Sequence, residues 1–96
     1  MTSKQRAYLK SLAMNMDSVF QIGKSSLTPE MTDAIEECLN KRELIKISVL
    51  KNCVDDPGEL SRMIGERTHS EVVQVIGKKI VLYKKNNENP RIELPR

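Results

Sequence analysis

Twice in this chain a capping residue is followed at once by proline, at Thr28-Pro29 and at Asp56-Pro57. A side chain that accepts from free helical N–H groups, next to a proline whose fixed φ suits the first helical position, marks a helix start more sharply than composition can. After Pro29, Met31, Ala34, Ile35, Cys38 and Leu39 recur at helical spacing, which predicts a helix with one apolar stripe. Its other face carries Glu30, Asp33, Glu36 and Glu37, with Lys41 and Arg42 at its end. That is the polarity a helix dipole favours. After Pro57, Glu59 stands where a capping box would place it, and Leu60, Met63 and Ile64 face inward.

The segments between these starts read as strands. Residues 44–50 alternate, with Ile45, Ile47 and Val49 on one face and Leu44, Lys46, Ser48 and Leu50 on the other. A shorter strand over 18–22 is stopped by Gly23-Lys24-Ser25-Ser26. Val72 to Ile76 and Ile80 to Tyr83 flank Gly77-Lys78-Lys79, which predicts a hairpin whose glycine takes the unusual backbone angles. Ahead of all these, Tyr8, Leu9, Leu12, Ala13 and Met16 form a helical stripe, with Lys4, Arg6 and Lys10 off it as a basic outer face.

The predicted order is α-β-α-β-α-β-β, an α/β fold with a four-stranded mixed sheet, because each strand-helix-strand unit favours a parallel crossover and the chain ends in a hairpin. The last two strands are apolar on both faces, so helices are expected on both sides of the sheet. Ninety-six residues leave room for one core and one domain, 1–96. Residues 86–96 are a polar tail for which the pattern predicts no regular order.

Composition narrows the function classes. No stretch is long and apolar enough to span a membrane, and Met1 to Lys10 lacks the apolar core of a secretory signal, so a cytosolic protein is expected. Cys38 and Cys53 form no C-x-x-C and are expected to be reduced thiols, one or both in the core. The net charge of +3 hides an asymmetry. Residues 1–29 hold four bases against one acid, residues 30–75 six against ten, and residues 76–96 six against two. If the fold joins the two ends, they create a one-sided positive field suited to a polyanion.

Gly23-Lys24-Ser25 looks like the end of a nucleotide-binding P-loop, but the required earlier glycine is Ser18, so ATP and GTP are not expected to bind and no cofactor is predicted. The turn still offers backbone N–H groups, a cation and two hydroxyls to one phosphate just before a helix start. His69 is the only histidine and has no metal-ligand spacing to either cysteine, so no metal site and no catalytic residues are expected. With Tyr8, Phe20 and Tyr83 as the only aromatics, a platform for stacking bases is missing. An RNA ligand would then be held by phosphates, sugars and shape.

At the level of whole segments the chain resembles a known family. Lys4-Gln5-Arg6-Ala7-Tyr8-Leu9-Lys10, Phe20-Gln21-Ile22-Gly23-Lys24, Arg42-Glu43-Leu44-Ile45-Lys46-Ile47, Val73-Gln74-Val75-Ile76-Gly77-Lys78, Val81-Leu82-Tyr83-Lys84 and Ile92-Glu93-Leu94-Pro95-Arg96 resemble, in order and over nearly the whole chain, the bacterial YhbY-like proteins, whose domain is also called CRM. The resemblance implies a fold similar to the C-terminal domain of the third bacterial translation initiation factor. It also implies a non-enzymatic protein that binds ribosomal RNA in precursors of the large ribosomal subunit. A G-x-x-G loop before the second helix is implied to approach RNA, and here that loop is Gly23-Lys24-Ser25-Ser26. Ser26 replaces the second glycine and adopts a positive φ only at a cost, while its hydroxyl is expected to compensate as a phosphate ligand. The expected RNA-binding residues are Gly23, Lys24, Ser25 and Ser26, with Lys4, Lys10 and Lys84 as positioning cations on a monomer. The competing expectation is a protein-interaction module that docks its acidic second helix on a basic ribosomal protein.

Overall fold

The computed structural model describes residues 1–96. Both proline-led helices form where their caps place them. In α2 (Pro29–Arg42) the Thr28 side chain accepts from Met31 N–H, and in α3 (Pro57–Thr68) Asp56 accepts from Gly58 and Glu59 N–H. The first helix, α1 (Ser3–Ala13), starts on a capping box between Thr2 and Gln5. The strands are β1 (Phe20–Ile22), β2 (Leu44–Val49), β3 (Glu71–Ile76) and β4 (Lys79–Tyr83).

The order across the sheet is β1-β2-β4-β3, with β1 parallel to β2 and the other pairs antiparallel. The first crossover, β1-α2-β2, therefore joins neighbours. The second, β2-α3-β3, also returns in parallel, but β4 lies between β2 and β3. Sequence alternation contains no signal for this insertion, because it is decided by which strand can be buried on both faces. In β4, Ile80 and Leu82 face one cluster while Val81 and Tyr83 face the other. Edge strand β3 leaves Val75 and Ile76 exposed.

The two faces make two cores where the length alone led to one being expected, because helices cover the sheet on both sides. One holds Ile22, Ile35, Leu39, Ile45, Ile47, Leu60, Ile64, Ile80 and Leu82 under α2 and α3, with Phe20, Cys38 and Cys53 packed at its margin. The other lies under α1 and holds Leu9, Ala13, Leu44, Val73, Val81 and Tyr83. Each fully buried aliphatic side chain contributes about 1.5–3 kcal/mol, which offsets the ordering of the chain.

Several expectations need correction. The first strand begins at Phe20 instead of residue 18, since before it only Val19 N–H reaches β2, at the Lys46 carbonyl. Strand β2 stops at Val49, and Leu50 turns away to donate its N–H to the Ile22 carbonyl. Tyr8 and Leu12 are more than a third exposed instead of facing inward, because α1 alone covers this face and seats only Leu9 and Ala13 deeply. Arg6 is not on an outer basic face. Its guanidinium donates to the Val72 and Val73 carbonyls, where a bulge in β3 interrupts the ladder.

The tail has no helix or strand, yet it is tied down. Glu43 is fully buried and its carboxylate accepts from the N–H groups of Asn86, Arg91 and Ile92. Gln5 donates to the Pro95 carbonyl, and Ile92 and Leu94 pack on the cluster under α1.

Candidate nucleic-acid interface

The loop between β1 and α2 is a tight turn closed by Ser26 N–H donating to the Gly23 carbonyl at 2.9 Å. Gly23 meets the β2–α3 connection closely: an added Cβ would lie 3.2 Å from Asn52 Oδ1 and 3.4 Å from Leu50 Cδ1. Lys24 and Ser25 stand exposed at the tip. Ser26 takes φ 54°, the left-handed region that glycine favours. The position that the family pattern gives to glycine thus has the backbone that glycine suits.

The Ser26 hydroxyl, expected as a phosphate ligand, is instead committed. It donates to Asp55 Oδ2, and Cys53 Sγ approaches Ser26 Oγ at 3.9 Å. The first N–H groups of α2 are also partly used, since Pro29 has none and Met31 donates to the Thr28 side chain. Lys24 and the Ser25 hydroxyl remain open to an anion, with the α2 dipole behind them.

The positioning lysines named from sequence are not together. Because β1 and β2 are parallel, the loop after Ile22 lies at the Val49 end of β2. Lys10 belongs to this end, near Lys46 and Lys79. Lys84 follows Tyr83, which pairs with Leu44 at the opposite end of β2, roughly 17 Å away along the strand. Its ammonium pairs with Glu36 at 3.3 Å. Lys4 is exposed in the first turn of α1, whose neighbour Gln5 contacts the tail beside Tyr83, and so it also lies far from the loop.

The structure adds lysines that were not singled out. Lys51 follows Leu50, whose N–H donates to the Ile22 carbonyl next to Gly23. Lys78 sits at the tip of the β3–β4 hairpin, where its carbonyl accepts from Val49 N–H at 2.7 Å. Lys79 pairs in register with Ser48 and donates to its hydroxyl. The Val49 end of the sheet therefore gathers Lys24, Lys51, Lys78 and Lys79, with Lys10 and Lys46 in the groove beside Lys79. The three ion pairs of the structure, Arg6–Glu71, Lys41–Glu37 and Lys84–Glu36, use none of them. A parallel crossover plus a hairpin implies that these loops share an end. Only the insertion of β4 beside β2 reveals that Lys78 and Lys79 join them.

No group of three or more His, Cys, Asp or Glu side chains is placed to hold a metal ion. His69 is an exposed left-handed C-cap of α3.

Comparison with known proteins agrees with this reading of the fold. The model of the CRS1/YhbY (CRM) domain matches residues 1–84. Over 95 residues the chain is 43% identical to the probable RNA-binding protein YqeI of Bacillus subtilis, covering 99% of each chain. It is 34% identical to an RNA-binding protein of Haemophilus influenzae over 96 residues, all of this chain and 96% of that one. Among solved structures, the hypothetical protein SAV1595 of Staphylococcus aureus, determined in solution, superposes with a TM-score of 0.82 at 50% identity over 99% of both chains.

Proposed function

Because the chain belongs to the CRS1/YhbY (CRM) domain family, we propose that it is a non-enzymatic, cytosolic RNA-binding protein. In this reading it acts as a monomer on ribosomal RNA of large-subunit precursors and assists their assembly. The observation that carries the proposal is the set of unpaired lysines around the Gly23–Ser26 turn, facing solvent at one end of the sheet. Phosphates are the polyanion that such a field concentrates, and the relatives are named as RNA-binding proteins. The large-subunit precursor is the RNA that the family resemblance implies.

Docking through the acidic face of α2 has less support. Glu36 is paired with Lys84 and Glu37 with Lys41, which leaves Glu30 and Asp33 as its free charges.

The test is binding of the parent and Lys24→Glu to a transcribed large-subunit ribosomal RNA precursor at several salt concentrations, alongside thermal melts. Lys24 is exposed, so the variant should fold normally. Losing one phosphate contact should lower the slope of log affinity against log salt by about one unit and weaken binding about tenfold. A folded Lys24→Glu protein that binds naked RNA as tightly as the parent overturns the proposal and favours docking on protein.

A further inference from the structure

Helix α1 ends at Ala13, before it has covered its face of the sheet. The uncovered part is a groove lined by Lys10, Met14, Lys46, Gln74, Ile76 and Lys79. We propose that this groove is a second RNA subsite, which holds the sugar-phosphate backbone of the strand that leaves the Gly23–Ser26 loop. The proposal rests on the chain being an RNA-binding protein.

Charge identifies the occupant. Three of the lining residues are lysines, none is a carboxylate, and no lysine here is spent on an ion pair. Lys79 is also positioned in advance. Its ammonium donates to Ser48 Oγ at 2.6 Å, and Ser48 Oγ in turn donates to Ser18 Oγ at 2.6 Å. A cation already held in place loses less conformational freedom when a phosphate arrives.

The apolar residues at this groove point the same way. Met14 is 76% exposed and Ile76 is 59% exposed, flanking the lysines with surface that ribose and base faces can cover. Neither side chain belongs to either core cluster.

Continuity joins the groove to the loop. Leu50 N–H is bonded to the Ile22 carbonyl beside Gly23, Lys51 follows it, the Lys78 carbonyl is bonded to Val49 N–H, and Lys79 is next along the chain. The cations Lys24, Lys51, Lys78 and Lys79 therefore form one track around the end of the sheet, with Lys46 and Lys10 beyond. A single strand following this track would meet phosphate partners throughout, without the aromatic platform that the chain lacks.

The experiment compares Lys10→Gln/Lys79→Gln, Lys10→Glu and Lys24→Glu with the parent, using labelled single-stranded RNA of about 4 and about 16 nucleotides. Lys10→Glu alters an exposed residue of α1 and leaves the sheet untouched, so it serves if the double variant does not fold. Loss of two backbone contacts should lower the salt slope for the longer RNA by roughly 1.4 and its affinity on the order of twenty-fold near about 0.1 M salt. The short RNA, held at the loop, should bind the groove variants as it binds the parent, while Lys24→Glu should weaken both lengths. Groove variants that bind the longer RNA with unchanged affinity and slope overturn the second subsite. If Lys24→Glu alone is without effect, the loop reading fails while the groove stands. A parallel titration with poly-glutamate covers the other polyanion. If the groove variants lose binding to that peptide and keep binding to RNA, the groove is a docking site for acidic protein and the proposal is overturned.

Discussion

Ser26 combines a backbone that costs energy with a hydrogen bond that returns it. For a residue with a Cβ, the left-handed conformation at φ 54° costs about 1–2 kcal/mol. Its hydroxyl donates to the Asp55 carboxylate, and a hydrogen bond to a charged group contributes about 1.5–3 kcal/mol. Ser26→Ala keeps the strain and loses the bond, so it should be destabilised by roughly 2 kcal/mol. Ser26→Gly loses the bond but sheds the strain, so its loss should be about half as large. Thermal melts should rank the parent above Ser26→Gly and Ser26→Ala lowest, and a Ser26→Ala melt at the parent's temperature would sink the argument. Ser26→Gly restores the family's G-x-x-G loop, and on that ground alone it should keep or improve RNA binding. The structure adds a condition, since removing the hydroxyl frees the Asp55 charge beside the phosphate path, and a gain should appear only when Asp55→Asn accompanies Ser26→Gly. That coupling was not legible, because Ser26 and Asp55 are brought together only by the packing of two connections.

Among the elements, α2 and α3 are the most legible, since their starts are set by local chemistry: a cap accepts from nearby N–H groups and proline fits the first turn. Helix α1 was legible as a helix but not in its burial. Its apolar stripe is wider than its contact with the sheet, and periodicity carries no information about how much of a stripe is covered. Leu9 is fully buried against the cluster that includes Leu44, Val81 and Tyr83, whereas Leu12, in the same stripe, is 37% exposed. Leu9→Ala should therefore cost about 3 kcal/mol and Leu12→Ala less than about 1 kcal/mol. Urea denaturation of the two variants checks this, and equal losses would mean that α1 packs on the sheet differently. The basic groove depends on the same contact, because Lys10 and Met14 are carried into place by the turn that Leu9 and Ala13 anchor.

Across the whole molecule, the two basic segments of the sequence do meet: Lys10 and Lys24 of the first come to the same side as Lys78 and Lys79 of the second. The charge count along the chain thus points to the positive field, but not to Lys51 and Lys46 from the acidic middle, nor to Lys4 and Lys84 standing at the opposite end of the sheet. What holds the tail is equally hidden, because Glu43 reads as one more charged residue after Arg42. It is fully buried, with φ 66°, and its carboxylate accepts three backbone N–H groups from residues 86–92. Burial alone would raise its pKa, yet the N–H groups of Asn86, Arg91 and Ile92, together with the Arg91 charge, bring it below the usual glutamate value. A carboxyl whose folded pKa is depressed contributes stability that is complete above its unfolded value, roughly 4.3, and is lost as pH falls through the lowered folded value. Glu43→Gln keeps the shape but turns an NH2 group towards an N–H donor, so at neutral pH it should cost about 2 kcal/mol, or roughly 10 °C in Tm for a chain of this size. Below the glutamate range the parent loses this contribution and the variant has none to lose, while the other carboxyls titrate alike in both. The gap in Tm between parent and variant should therefore narrow as pH is lowered from about 7 to about 3. Melting curves across that range decide the matter, and a gap that stays constant would mean that the Glu43 charge does not hold the tail.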